Sequence, residues 1–170
     1  MEVKLPKRKT QTIKSFVQAN DADLLFKKLK SESQWKESIR SVKGFTRLGC
    51  SFNVGDDSDL DAIVARAIKE FSVGDDFQVR HIYLNYYKNG EYWTPNHRHK
   101  HSHQIVISLG CDRSFHMYGK HHSVMQNGDA IIFGTSLHGI PQEDCDGERI
   151  SIALFLKYVK GEDLVSRKEN

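Results

Sequence analysis

The sequence is poor in cysteine and has no long apolar run. Its three cysteines, Cys50, Cys111 and Cys145, are an odd number without close spacing. That pattern excludes a disulfide framework or a zinc ribbon and indicates a reducing compartment. No run approaches the ~20 apolar residues of a membrane span, and the first ten residues lack the apolar stretch of a secretory signal. We therefore expect an intracellular protein, cytoplasmic or nuclear, with no membrane partner.

A large excess of charge is also missing. The formal net charge is +3 over 170 residues, which is too small to indicate a nucleic-acid partner by itself. Basic residues are concentrated in residues 1–14, which we interpret as a basic N-terminal tail. Such a segment is solvated unless it carries a localisation signal or contacts phosphate. The rest of the chain has the length of one domain, which we assign to residues 15–165.

Two segments in the first half have the apolar periodicity of helices. Residues 21–31 begin with Asp21 as a candidate N-cap. Residues 58–71 begin with Ser58, which together with Asp61 fits a capping box. We expect the second helix to pack on a sheet, because it has a clear apolar stripe formed by Leu60, Ile63, Val64, Ala67 and Ile68.

From residue 77 onward, β-branched and aromatic residues alternate with turn signals. This pattern predicts strands at residues 77–87, 104–110, 113–119, 129–134 and 149–159. Two helices followed by a run of short strands predict an α+β protein, with its sheet closed or doubled to hide the edges. The natural architecture is a jelly roll with the helices packed on one sheet.

Histidine is the unusual component, with nine residues that all follow residue 80. The alternating residues His97, His99, His101 and His103 would share one face if a single strand carried them without a break. A pair of imidazoles at i and i+2 can occupy neighbouring positions on a metal ion. His138 follows an apolar strand and supplies a third ligand. We predict that His97, His99 and His138 bind a metal.

The motifs between about residues 77 and 157 resemble the AlkB-like branch of the iron(II)- and 2-oxoglutarate-dependent dioxygenases. The resemblance implies a double-stranded β-helix, which is a jelly roll, and a single AlkB-like domain over residues 15–165. The segments that carry it are, in chain order, Asn85-Tyr86-Tyr87, Pro95-Asn96-His97-Arg98-His99, Ser108-Leu109-Gly110, Gly128-Asp129, His138-Gly139-Ile140 and Arg149-Ile150-Ser151.

By this resemblance the metal is Fe(II), held by the three histidines, and the cosubstrates are 2-oxoglutarate and molecular oxygen. Arg149 would bind the distal carboxylate of 2-oxoglutarate through a two-pronged, charge-assisted contact. Other side chains implied to bind this cosubstrate are Asn85, Tyr87 and Ser151. The target would be a nucleic acid or a protein side chain, which the enzyme hydroxylates or demethylates.

Two positions depart from the family's pattern. His99 stands where the family has an aspartate ligand, and a neutral imidazole leaves the metal site one charge unit more positive. Phe155 stands six residues after Arg149, where the family often has a second arginine.

Two other functions stay open at this point. The spacing of His97, His99, His103 and Gly110 also resembles the first motif of a cupin, with histidine in place of glutamate, and His138 resembles the histidine of the second motif. A three-histidine cupin would use iron without 2-oxoglutarate. The third possibility is a non-catalytic metal-binding or interaction module on the same jelly roll.

Overall fold

The computed structural model describes residues 4–39 and 45–159. Antiparallel strands dominate, and both helices lie in the first half of the chain, as the α+β prediction requires. The elements are β1 (Gln11–Ile13), α1 (Ala19–Glu32), β2 (Lys36–Ile39), β3 (Phe45–Phe52), α2 (Ser58–Glu70), β4 (Phe77–Tyr87), β5 (Thr94–His97), β6 (Ser102–Gly110), β7 (Arg113–Met117), β8 (Lys120–Met125), β9 (Ala130–Phe133), β10 (His138–Ile140) and β11 (Arg149–Tyr158).

The strands form two sheets, and from β4 onward the chain crosses from one to the other at every step except between β7 and β8, which are neighbours in the smaller sheet. The larger sheet has seven strands in the order β1-β9-β6-β11-β4-β3-β2, and the smaller has four in the order β5-β10-β7-β8. Neighbouring strands pair antiparallel in both sheets. The predicted double-stranded β-helix is confirmed.

Period-two alternation along β11 divides the interior into two cores. Ile150, Ile152 and Leu154 join the core that the larger sheet forms with the helices. Ala153 belongs to the second core, between the two sheets, and Arg149 faces a cavity there. The predicted packing of the helices on one sheet is confirmed by their residues in the first core, which include Leu25, Leu29, Leu60 and Ile63.

The residues that cap the two helices differ from the prediction, although α2 begins at Ser58 as expected. The N-cap of α1 is Gln18, whose side chain makes no capping hydrogen bond, and Asp21 lies in the first turn. The N-cap of α2 is Asp57, whose carboxylate accepts hydrogen bonds from two backbone amides of the first turn. Ser58 is already helical, and Asp61 accepts instead from an amide of the preceding loop. Both cap predictions are therefore wrong. In the described part of the chain, neither helix combines the length and apolar character needed to cross a membrane.

The described part of the basic N-terminal segment lies against the larger sheet. Its strand β1 pairs with β9 at the sheet edge. Arg8 Nε donates to His103 Nδ1 at 3.0 Å, and the Nε2 of the same ring lies 2.9 Å from the carbonyl oxygen of Pro6. Lys14 forms an ion pair with Asp129. Arg8 and Pro6, near the start of the chain, thus occupy both ring nitrogens of His103 in β6.

Candidate metal centre

Two strand ends and one turn assemble the histidine cluster. His97 is the last residue of β5, and His138 is the first residue of β10. The two lie opposite each other in the β5–β10 ladder. His99 lies two residues beyond β5, in the turn before β6. The strand is therefore broken after His97, and the condition under which four alternating histidines would share one face is not met.

The three side chains converge on one point. One ligand atom of each of His97, His99 and His138 lies within 4.8 Å of the others, the one such cluster of three or more among the described residues. The Nε2 atoms of His97 and His99 are 3.0 Å apart. Two imidazole nitrogens bound at right angles to one ion, each at about 2.1 Å, would be separated by about 3.0 Å. The cluster therefore fits a divalent transition metal.

Backbone carbonyls orient two of the rings. His97 Nδ1 and His138 Nδ1 each lie 2.8 Å from a carbonyl oxygen two residues earlier in the chain, that of Pro95 and that of Ser136. A hydrogen bond at Nδ1 places the proton there and directs the Nε2 lone pair towards a metal. Burial, together with neighbouring His97 and His99, lowers the pKa of His138 to about 3. Its imidazole is thus neutral at physiological pH, as metal ligation requires.

Aromatic rings surround the cluster on the side of the second core. The Phe133 ring centroid lies 4.6 Å from that of His138, and the Phe155 centroid lies 5.0 Å from that of His99. Phe115 stacks on His138 at 6.4 Å. These rings restrict water at the histidines and strengthen electrostatic interactions there.

The histidines open onto a cavity of about 300 Å³ between the two sheets. Two arginines line it, Arg47 with 4% and Arg149 with 0% of its surface exposed. No described residue that lines the cavity is an aspartate or a glutamate. Because a buried cation without a counterion is costly, an anionic ligand in this cavity would offset the cost of the two arginines.

Arg149 has a guanidinium that is only partly satisfied. Its Nε donates to Ser108 Oγ at 2.8 Å, and its Cζ lies 5.2 Å from the Tyr87 ring centroid. The terminal nitrogens Nη1 and Nη2 are buried and have no hydrogen-bond partner. Burial lowers the pKa of Arg149, yet guanidinium remains charged in proteins. Two parallel donors in a fork match one carboxylate group.

The other predicted cosubstrate residues line the same cavity. Asn85 and Ser151 are partners in the β4–β11 ladder, and Asn85 Nδ2 donates to Ser151 Oγ at 3.3 Å. Tyr87 is the ladder partner of Arg149, and its hydroxyl lies 2.6 Å from Thr94 Oγ1. The four predicted residues belong to β4 and β11 of the larger sheet, and all of them line the cavity.

Sequence reasoning missed several polar residues of the cavity, among them Arg47 and Gln104. Arg47 Nε donates to Asn85 Oδ1 at 2.6 Å and thereby holds that amide in place. Gln104 is buried in β6 with an unpartnered amide nitrogen. Each is a polar residue within or at the edge of an apolar strand, which is the same signal that singled out Arg149.

His103, the third histidine of the cupin-like spacing, lies outside the cluster. Its two ring nitrogens are engaged by Arg8 and by the carbonyl of Pro6. Burial lowers its pKa, because the charged imidazolium loses solvation. The cupin-like motif therefore does not bring this residue to the metal ligands.

The cysteines that are distant in sequence are not all distant in space. Cys111 follows β6 and Cys145 precedes β11, and their sulfur atoms lie 3.4 Å apart. Burial and the neighbouring thiol raise the pKa of Cys111 to about 12. At neutral pH this thiol is therefore protonated, as in a reduced protein.

Comparisons with known proteins agree with the fold. The sequence matches no family model and no curated protein. Among solved structures, the viral collagen prolyl hydroxylase of Paramecium Bursaria Chlorella virus-1 superposes with a TM-score of 0.67 at 12% identity over 88% of this chain and 97% of that one. A Pseudomonas putida prolyl-4-hydroxylase gives 0.65 at 15% identity, covering 87% and 92%. The structure named OsALKBH1 gives 0.63 at 16% identity, covering 89% and 100%. At these identities the likeness is one of fold.

Proposed function

We propose that this chain is an Fe(II)- and 2-oxoglutarate-dependent oxygenase. One observation carries the proposal: Arg149 presents two unpartnered, buried donors to a cavity without acidic residues, and the histidine cluster opens onto that cavity. A dicarboxylate that reaches a metal with one end and Arg149 with the other satisfies both. The named activities of the structural neighbours above agree with this chemistry.

Each part of the cavity has a separate task. His97, His99 and His138 would hold Fe(II), which when bound supplies oxygen activation coupled to conversion of 2-oxoglutarate into succinate and carbon dioxide. Arg149 would bind the far carboxylate, with Ser108 fixing its guanidinium through Nε. The rings around the histidines keep water from the reacting centre.

The finer assignment is to the AlkB-like branch, with residues 15–165 as its single domain. Six motifs in the family's order support it, from Asn85 to Arg149. The target is then a nucleic acid or a protein side chain that is hydroxylated or demethylated. Because His99 replaces a carboxylate, the metal keeps more positive charge, which we expect to favour anionic ligands at the open positions.

The decisive experiment compares the unaltered protein with Arg149→Lys. Binding of 2-oxoglutarate to the Fe(II)-loaded protein is measured without oxygen by calorimetry, and succinate formation is measured with oxygen. Lysine keeps the charge and loses the fork, so affinity should fall roughly tenfold or more, since hydrogen bonds to charged groups contribute about 1.5–3 kcal/mol. Arg66→Lys, on the exposed face of α2, is the matched control and should change neither quantity. Binding of 2-oxoglutarate that does not depend on Arg149 would contradict the assignment.

A three-histidine iron protein that does not use 2-oxoglutarate is the second candidate. The uncharged ligand set favours it, because all three ligands are imidazoles. This second candidate does not explain why two buried donor nitrogens of Arg149 have no partner. Iron binding without any measurable 2-oxoglutarate binding would decide for this alternative, and iron binding without turnover of any kind would indicate a non-catalytic module.

A further inference from the structure

Gln104 occupies the end of the cavity nearest the histidines. It is 3% exposed and lies in β6 between Phe133 of β9 and Phe155 of β11, its two ladder partners. Directly paired residues of neighbouring strands point to the same face of a sheet. Because the ring of Phe133 contacts His138 and the ring of Phe155 contacts His99, the Gln104 side chain faces the same end.

The amide of Gln104 has an unmet donor. Its Nε2 atom is buried and has no hydrogen-bond partner. Among the described residues, the buried side-chain nitrogens without a partner are this atom and the two terminal nitrogens of Arg149. Both residues line the same cavity. Leaving such donors unsatisfied is costly, and their concentration in one cavity points to one ligand that satisfies them together.

The two sets of donors belong to different ends of the cavity. The guanidinium of Arg149 is fixed at Ser108, which lies four residues after Gln104 on the same strand. Four residues of an antiparallel strand separate the Cα atoms of Gln104 and Ser108 by about 13 Å, and the side chains reach into the cavity from these two separate levels. A compact ligand with a single carboxylate could therefore satisfy Arg149 and not Gln104, whereas an elongated dicarboxylate has an acceptor group at each end.

We propose that Gln104 Nε2 donates a hydrogen bond to the metal-end carboxylate of 2-oxoglutarate. This inference rests on the proposed function and adds a second binding residue to it, at the end opposite Arg149. A neutral amide suits this position, because three imidazoles leave the full charge of the ion to attract the carboxylate. The neutral amide then orients the carboxylate through the direction of its N–H bond and adds no charge.

The test measures 2-oxoglutarate affinity by calorimetry on Fe(II)-loaded protein without oxygen, together with iron stoichiometry. Gln104→Leu has nearly the same shape and removes the donor. We expect its affinity for 2-oxoglutarate to fall about tenfold or more, with one iron still bound. Gln104→Glu should weaken binding further, since a carboxylate repels the ligand. Gln126→Leu, at an exposed position, is the matched control and should leave affinity unchanged.

A double variant separates this role from that of Arg149. If the two residues hold different carboxylates, the double variant Gln104→Leu/Arg149→Lys should bind 2-oxoglutarate more weakly than either single variant. Equal affinity of Gln104→Leu and the unaltered protein, or a double variant no weaker than Arg149→Lys alone, would overturn the inference and leave the proposed function standing. Absence of 2-oxoglutarate binding in the unaltered protein would overturn both.

Discussion

His138 lies opposite His97 in the β5–β10 ladder, and their ring centroids are 4.4 Å apart. The positions of these two predicted ligands are thus set by main-chain pairing between two strands, and a carbonyl at each Nδ1 fixes them further. A site built this way needs little rearrangement to bind an ion, so its affinity depends on the strand pairing as well as on the ligands.

Removal of any one ligand should abolish tight metal binding. We expect His97→Ala, His99→Ala and His138→Ala each to lower Fe(II) affinity at least 10-fold, because two imidazoles remain of three. The measurement is metal content after dialysis, with calorimetric titration of Fe(II) without oxygen. His121→Ala, at an exposed position of β8, should bind the same amount of iron as the unaltered chain. Full iron content in His97→Ala would mean that the site is elsewhere.

The metal-free protein should lose stability as the pH falls below about 6.5. The pKa of His138 is about 3 in the folded chain and about 6.5 when unfolded, so between these values the unfolded state binds the additional proton. Stability is therefore complete above pH 6.5 and declines towards pH 3. This residue alone should account for about 2 kcal/mol between pH 7 and pH 5.

Urea unfolding of the metal-free chain at both pH values measures this loss. The variant His138→Gln has no titrating group at the position and should lose about 2 kcal/mol less than the unaltered protein over the same interval. Identical pH dependence of the two proteins would show that His138 is not the source.

Two buried arginines should respond in opposite ways to replacement by methionine. Every guanidinium nitrogen of Arg113 has a partner, with Nε donating to Glu143 and the other two donating to three backbone carbonyls. Arg113→Met leaves these acceptors unpaired and should cost about 3–5 kcal/mol. Arg149→Met removes a charge with two unpartnered nitrogens and should keep or raise the stability of the ligand-free protein by about 1 kcal/mol or more.

Urea unfolding of both variants without 2-oxoglutarate distinguishes the two cases. Arg149→Met should also lose the stabilisation that 2-oxoglutarate gives to the unaltered, metal-loaded protein. If Arg149→Met were as unstable as Arg113→Met, Arg149 would be a structural residue and the ligand assignment would fail.

Gly139 should be required for metal affinity although it is not a ligand. A Cβ at this position would lie 2.6 Å from Asn96 Oδ1 and 2.8 Å from the carbonyl oxygen of Thr94. Since that carbonyl belongs to β5, Gly139→Ala would push β5 away from β10 and separate His97 from His138. We expect about tenfold weaker Fe(II) binding and a stability loss of about 1–3 kcal/mol.

The matched control for this substitution is Gly74→Ala. A Cβ at Gly74 meets no atom within 4 Å, so metal titration and thermal unfolding of this variant should match the unaltered protein. Unchanged metal affinity in Gly139→Ala would show that the ligands tolerate a wider separation of the two strands.

Strands rich in β-branched and aromatic residues were predictable from the sequence, and this includes the four-residue β9, whereas β5 and β10 were not. The bounds of β4 agree with the prediction over residues 77–87, because β-branched and aromatic residues fill the strand. The four-residue β5 contains Pro95, and β10 has three residues. Neither has an intrinsic preference for strand conformation that a sequence could show, and both depend on pairing with each other. The two strands that carry His97 and His138 were thus the part of the fold least visible in the sequence.

Within the candidate site, the spacing of the histidines indicated candidate ligands but not which histidine lies outside the cluster. His97, His99 and His103 follow one alternation, yet His103 is held by Arg8, 95 residues away. No local pattern contains such a contact. The sequence marks Gln104 as a polar residue at the edge of an apolar strand, but only the register of β6 between β9 and β11 places it beside the histidines.

Strand β11 carries ligand-facing and core-facing residues in strict alternation, and this has a consequence for laboratory evolution. Its core-facing side chains, Ile150, Ile152 and Leu154, hold the helices. The alternate positions Arg149, Ser151, Ala153 and Phe155 face the cavity. A library randomised at those four codons alone would change the cavity lining and leave the core unchanged. The same randomisation shifted by one codon would replace core residues, and most of its variants would fail to fold.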